Sequence, residues 1–238
     1  MKTKVPTIVF CATRQKDISE AEISINSIRE IYPDIEIILF TNIESYTNPR
    51  VNSVHILKNQ QNNFLDKIST LLEVKRKRIL FLDGDTFLIK NIDELFALLN
   101  NFDLAVAHAP NRWTFKINEV PDSFPEFNTG VLLLNKNYKI RRLLKNWYND
   151  YKKYLDQKVD FPSKDQPSFR KCLFLSKIRF SVLTPEYNCR FTMGAMVSHN
   201  VKLLHGRTND FSKIKKSIND APINQWSDEP KLRWIKYE

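Results

Sequence analysis

The sequence predicts an α/β fold of three layers, with helices on both faces of a mostly parallel central sheet. Strand-like and helix-like patterns alternate along the 238 residues, the order expected of such a sheet. Ile79 to Leu82 carry no polar residue to face water, which marks a strand covered on both sides. That apolar run passes directly into Asp83-Gly84-Asp85-Thr86. Two carboxylates therefore sit where a strand leaves the sheet, and ligands of open α/β sheets bind at the carboxyl ends of their strands.

Each element follows from its pattern. Thr7 to Ala12 reads as a first strand. Ala21, Ile25, Ile28 and Tyr32 recur at helical spacing, so a helix is predicted from Ser19 to Tyr32, with Pro33 ending it. Ile35 to Phe40 is a second strand. Phe64, Ile68, Leu71 and Leu72 mark the helix that feeds the strand before Asp83. Ile92 to Leu99 reads as a short helix and Leu104 to Ala107 as a strand. Ala109 to Glu126 contains prolines and no periodicity, a long loop of the kind that often carries function. Phe127 to Asn135 returns to strand character. Ile140, Leu143, Leu144, Trp147, Tyr148 and Tyr151 give the clearest amphipathic helix. Asp165 and Gln166 open a helix with Pro167 in its first turn. Phe180 to Leu183 and Val201 to Leu204 are further short strands. With no repeat and no glycine-rich linker, residues 1–238 are expected to form one domain.

Composition sets bounds. Hydrophobic residues make up 42% and charged residues 27%, the mix of an ordinary globular protein. A chain this long buries roughly 70–75% of its unfolded surface, so it needs no disulfide or structural metal to fold. The net charge of +10 suits an anionic partner, whether nucleic acid, nucleotide or acidic membrane, without choosing among them. Cys11, Cys172 and Cys189 show no metal-type spacing, and their odd number points to a reducing compartment. The apolar run after Lys2 and Lys4 is too short for a signal-peptide core, and none is long enough to span a membrane. A cytoplasmic protein is expected. Lys75-Arg76-Lys77-Arg78 is either a solvated turn or a peripheral contact with anionic lipid.

The chemistry gathers at a few positions. Asp83 and Asp85 offer oxygen ligands to a hard divalent cation such as Mg²⁺ or Mn²⁺. The plainer reading of the same residues is a hairpin, because Thr86 to Ile89 is apolar again and Asp-Gly turns well. Of the four glycines, Gly84, Gly130 and Gly206 stand at edges of apolar runs, where a ligand would need close approach. Trp113, Phe115 and Phe124 in the long loop are either a platform for an acceptor sugar or simple packing.

Taken in order, these segments resemble the glycogenin-like glycosyltransferases (glycosyltransferase family 8). Arg78 to Phe96 is similar to their Asp-any-Asp region, with Asn91-Ile92-Asp93-Glu94-Leu95-Phe96 as the helix after it. Phe127-Asn128-Thr129-Gly130-Val131 resembles their Asn-Ser/Thr-Gly-Val strand, and Asp165-Gln166 their Asp-Gln pair. Glu186-Tyr187-Asn188 resembles a late Tyr-Asn. Val201-Lys202-Leu203-Leu204-His205-Gly206 resembles the strand that delivers a metal-binding histidine. The chain departs from the pattern in two places. Arg207-Thr208-Asn209-Asp210 replaces a second glycine and Lys-Pro-Trp, and Thr13-Arg14-Gln15-Lys16-Asp17 lacks the base-stacking aromatic.

The resemblance implies a GT-A fold and metal-dependent transfer of a sugar, with retention, from a nucleotide-diphosphate donor, a UDP-sugar above all. The acceptor, whether saccharide, lipid or protein, is not specified by it. It implies that Asp83, Asp85 and His205 hold Mn²⁺ or Mg²⁺. Ala12, Thr13, Lys67, Asp83, Asn128, Gly206 and Arg207 would meet the donor, and Gln166 and Asp165 would act beside the reacting carbon. Plainer readings stand beside these: His205 as a satisfied polar residue, Lys67 as a solvated lysine, Asp165 as a helix cap, Asn128 as a turn residue. Three other functions fit the sequence less well. A phosphatase of the haloacid dehalogenase type needs its threonine one position later than Thr86. A sugar nucleotidyltransferase needs a glycine-rich phosphate loop after the first strand, and none is there. A nucleic-acid binder needs exposed aromatics interleaved with basic residues on one face, whereas the lysines here are dispersed.

Overall fold

The computed structural model describes residues 5–109, 117–157, 164–220 and 233–237. Its centre is a seven-stranded sheet in the order β3-β2-β1-β4-β7-β6-β8. These strands are β1 (Thr7–Cys11), β2 (Ile37–Thr41), β3 (Ser53–Ile56), β4 (Arg78–Leu82), β6 (Leu104–His108), β7 (Phe127–Asn135) and β8 (Phe180–Leu183). β3, β2, β1 and β4 pair in parallel, as do β6 and β8; β7 runs antiparallel between β4 and β6. The predicted mostly parallel three-layer architecture is therefore observed.

The two faces of the sheet follow from the period of two along each strand. Ile8, Phe10, Ile37, Leu39, Leu80 and Leu82 share one core with α1 (Gln15–Ile31) and α3 (Asp93–Ala97). Val9, Ile38, Phe40, Ile79 and Phe81 share the other with α2 (Phe64–Glu73), α4 (Tyr138–Asp156) and α5 (Gln166–Phe174). From Ile79 to Leu82 neither face of β4 meets water, which is why that run has no polar residue. A smaller third core joins Ile89, Cys189, Phe191, Val201 and Leu204 to α6 (Phe211–Ser217).

The differences from sequence are local. α1 begins at Gln15, four residues before the predicted start, and the helix at Ile92 to Leu99 ends in a 3-10 turn over Leu98–Asn100. β10 (Leu203–His205) starts later than Val201. The hairpin reading of Asp83 to Ile89 fails: β5 (Thr86–Leu88) pairs not with β4 but antiparallel with β10. β3 and the pair β9 (Ala195–Val197) and β11 (Arg233–Ile235) are too short to be seen in the sequence, and β5 shows there only as the second arm of a hairpin. In the long loop, Phe124 packs edge-on against Phe127, Phe174 and Phe180, so it belongs to the core and forms no platform. Trp113 and Phe115 lie outside the described residues. No helix among the described residues is long and apolar enough to cross a membrane.

Candidate active site

Backbone register assembles the first cluster. β4 ends at Leu82, and the Asp83 N–H donates to the Gly130 carbonyl of β7 at 2.8 Å. β10 lies against β5 with His205 opposite Thr86, and the Gly206 N–H donates to the Asp85 carbonyl at 2.8 Å. His205 is thus carried to the carboxylates by strand pairing, although the chain between them is long. Its Nε2 lies 3.3 Å from Asp85 Oδ1 and 3.9 Å from Asp83 Oδ2. One ligand atom from each of the three residues lies within 4.8 Å of the others.

Gly130 keeps this space open. A methyl group there would stand 2.1 Å from His205 Cε1 and 2.7 Å from Asp83 Oδ2. Gly130 belongs to a stretch where the pairing of β7 with β6 slips between Val106 and Ala107. Such irregularities re-aim strand residues beside functional sites. Gly84 serves a different need from the one expected. Its missing Cβ admits the backbone of α1, with Ala21 N and Asp17 O each 3.2 Å from where a Cβ would be. Two carboxylates and one imidazole nitrogen in this cradle form a donor set that fits Mn²⁺ or Mg²⁺.

Cations from the protein surround the carboxylates. Lys67 is buried, not solvated; its Nζ lies 3.1 Å from Asp83 Oδ1 and 3.6 Å from Asp165 Oδ2. Burial pushes the ammonium down, but Asp165 and Asp83 outweigh it and hold its pKa above the ordinary value. Burial pushes the Asp83 carboxyl up, against the opposing pull of Lys67 and His205. Asp85 moves the other way. Burial raises it too, but the charge and hydrogen bond of His205, then Arg207 and Arg190, leave it below the carboxylate range. One site thus splits two like charges into a higher and a lower acid.

A cavity of about 340 Å³ adjoins the cluster. Its lining includes Thr13, Asn62, Phe64, Lys67, Asp83 and Arg207. Thr13 donates its hydroxyl to Asp66 Oδ2 at 3.0 Å, and the Ala12 N–H is taken by the Phe40 carbonyl inside the sheet. Arg207 is held by Glu20 of α1 through two hydrogen bonds of 2.7 and 3.0 Å, and stands 3.6 Å from Asp85 Oδ2. Gly206, at φ +148°, turns the chain from β10 toward Arg207.

Asp165 occupies the N-cap position of α5, yet its side chain caps nothing. Its Oδ2 accepts instead from Thr129 Oγ1 at 2.8 Å and faces Lys67. The Trp147 indole N–H donates to the Asp165 carbonyl at 3.1 Å, fixing the start of α5 against α4. Gln166 follows, and its Oε1 is buried without a hydrogen-bond partner among the described residues. Asn128 is no simple turn residue: its Oδ1 accepts from the Gly130 N–H and from Asn188 Nδ2.

Three residues here were not singled out by sequence. Phe64 lines the cavity from the first turn of α2, having been absorbed into the helix pattern. Asn62 lines it beside Phe64 in a left-handed conformation, φ +55°. Arg190 is half a site cation already: it lowers Asp85, and its Nε is buried without a partner among the described residues. None of the three has a local pattern that separates it from helix or loop.

Comparison with known proteins agrees with this geometry. The model of Glycosyl transferase family 8 matches residues 8–219. No curated protein matches the sequence. Among solved structures, the glycosyltransferase GlyE of Streptococcus pneumoniae TIGR4 superposes with a TM-score of 0.58 at 17% identity, over 87% of this chain. This chain spans 56% of the length of GlyE. Mouse xyloside xylosyltransferase 1 in its apo form gives a TM-score of 0.58 at 15% identity, covering 86% of this chain and 98% of the other. An active-site glutamine-to-glutamate mutant of LgtC gives 0.50 at 17% identity, over 76% of this chain and 74% of the other.

Proposed function

The chain belongs to glycosyl transferase family 8 and is a glycosyltransferase of GT-A fold, and on that premise we propose that it takes sugar from a UDP-sugar with the help of a divalent cation and with retention. The observation that carries the reading is the convergence of Asp83, Asp85 and His205 beside a cavity that already holds buried positive charge. Asp83, Asp85 and His205 would hold Mn²⁺ or Mg²⁺. Bound there, the cation acts as a Lewis acid on the diphosphate leaving group.

The protein's own groups divide the remaining work. Lys67 and Arg207 bring positive charge to the donor phosphates. Arg207 does so with a planar guanidinium suited to two parallel hydrogen bonds. Phe64 supplies the apolar surface for the base that residues 13–17 lack, and Thr13 and Asn62 border its polar edge, while Ala12, buried at the end of β1, holds Thr13 in place from inside the sheet. The free Gln166 Oε1 points to a partner that arrives with the substrate; the amide is read as lying beside the anomeric carbon, with Asp165 fixing it from behind. An acceptor then attacks from the side the diphosphate leaves. Calorimetry with UDP, GDP and CMP in Mn²⁺ tests the donor. UDP is expected to bind tightest, and tighter binding of GDP overturns the assignment.

A second surface supports peripheral membrane contact by a cytoplasmic protein. Lys75, Arg76, Lys77, Arg141 and Lys145 line a groove of about 710 Å³ at the amino end of β4, opposite the end that carries Asp83; Lys136 lies buried in its wall, its ammonium donating to the Leu72 and Val74 carbonyls. Tyr138 stands exposed at the start of α4, one and two turns from Arg141 and Lys145. Basic residues near an anionic bilayer contribute about 1 kcal/mol each. Vesicles of phosphatidylserine are expected to retain the protein at low salt, and Lys77→Glu with Arg141→Glu to release it. Equal retention on phosphatidylcholine would refute this contact.

A further inference from the structure

We propose that Asn188 and Asn128 are positioning residues that lock His205 with its proton on Nδ1, leaving the Nε2 lone pair for the cation. The inference rests on the metal reading above and extends it to a chain of hydrogen bonds behind the ligand. Its direction follows from one group whose role is not negotiable. The Gly130 backbone N–H can only donate, and it donates to a side-chain atom of Asn128 at 3.1 Å. That atom must be the amide oxygen. The Asn188 atom that meets the same oxygen at 2.9 Å must therefore be its NH₂ group. The other end of the Asn188 amide is then its oxygen, and it lies 2.8 Å from His205 Nδ1. An oxygen acceptor requires a proton on Nδ1. With both nitrogens protonated the Nε2–H donates to Asp85; in the neutral ring Nε2 is left unprotonated and presents its lone pair between Asp85 and Asp83.

Every member of the relay is buried: Asn128, Asn188 and His205 are 6%, 3% and 2% exposed. Water cannot readily substitute for a lost member, so the polarity set at Gly130 is transmitted to the ring. The same backbone residue both opens room for the metal ligands and orients one of them. Metal-bound histidines characteristically donate their other ring N–H to a fixed acceptor, and losing that acceptor costs 10–100-fold in metal affinity. In water the Nδ1–H form has no such support, so the protein must impose it. Asn188 comes from the short loop before Cys189, whose N–H and carbonyl bond to Leu203 and His205 of β10, and this pairing holds the asparagine level with the ring.

The test has two independent arms. Long-range ¹H–¹⁵N spectra of the neutral His205 ring in the metal-free protein should show its proton on Nδ1. Asn188→Leu, close in volume, should shift the ring toward the Nε2–H form and weaken Mn²⁺ binding, read by electron paramagnetic resonance, about 10–100-fold. A proton on Nε2 in the wild type overturns the relay, as does an Asn188→Leu variant with unchanged tautomer and Mn²⁺ affinity. A wild type with the proton on Nδ1 that binds no Mn²⁺ would instead refute the metal reading and leave the relay standing.

Discussion

Asp85→Asn is expected to keep its fold and to lose transfer activity by roughly a thousandfold or more, together with Mn²⁺-dependent binding of UDP. The size follows from the chemistry. A cation on the leaving diphosphate supplies several kcal/mol at the transition state, and each 1.36 kcal/mol is tenfold in rate. The substitution keeps the shape of the side chain and removes the charge that a hard cation needs. His205→Ala should act in the same direction but less, since two carboxylates remain.

The geometry also refines what the substitution does to the metal-free protein. Two bare carboxylates would repel, and deleting either would be expected to relieve the fold. Asp85 does not stand bare: His205, Arg207 and Arg190 hold it below the carboxylate range despite burial. A depressed carboxyl stabilises the fold above its unfolded pKa and loses that contribution as pH falls through the folded one. Asp85→Asn should therefore lower the metal-free melting temperature slightly at neutral pH and flatten its acid limb. Asp83 is pushed up by burial, so Asp83→Asn removes a charge that the metal-free fold disfavours but also the nearer partner of the buried Lys67, and the two effects oppose. Thermal melts of both variants with and without Mn²⁺ check this. Near wild-type transfer by Asp85→Asn in Mn²⁺ would sink the metal assignment.

What was legible in the sequence divides along physical lines. Segments buried on both faces, such as Ile79 to Leu82 of β4 and Val131 to Leu134 of β7, announced themselves because nothing polar interrupts them. α4 did so through the spacing of Ile140, Leu143, Leu144, Trp147 and Tyr151, all of which are buried. β3, at the sheet edge, is half-buried except for exposed His55 and holds only two aliphatic residues, so its apolar signal is weak. β5 and β10 are three residues each and make sense only as a pair. The site shows the same division. Asp83, Asp85, His205, Lys67 and Asp165 do converge, because order along the strands encodes which residues reach the carboxyl edge. The partners behind them did not show. That Lys67 lies between two buried carboxylates, or that Asn128 serves a histidine ring through Asn188, depends on register across strands far apart in sequence. The resemblance puts Arg207 at the donor in place of a missing lysine, and nothing local reveals that Glu20 holds it.

Gln166→Ala should lower turnover about a hundredfold while UDP affinity in Mn²⁺ stays within about twofold. Removing one polar group aimed at a developing charge typically costs 10²–10³ in kcat. The separation of the two effects follows from position. Gln166 opens α5, which is tied to α4 by Trp147 and to β7 by the Asp165–Thr129 bond, whereas the base and phosphate groups lie along β1, α2 and the turn after β4. The fold should tolerate the change, since the Gln166 carbonyl oxygen is buried without a partner among the described residues, and its loss breaks no bond there. Removal of an unmet polar atom should leave the melting temperature equal or slightly higher. Asp165→Ala makes the contrast. It leaves the Lys67 ammonium paired with Asp83 alone and takes the acceptor from Thr129, so it should destabilise the protein and disturb UDP binding and turnover together. Steady-state kinetics, calorimetry and thermal melts on the two variants separate a group that touches substrate from one that holds the site. Equal loss of UDP binding and turnover in Gln166→Ala would assign it to the framework with Asp165.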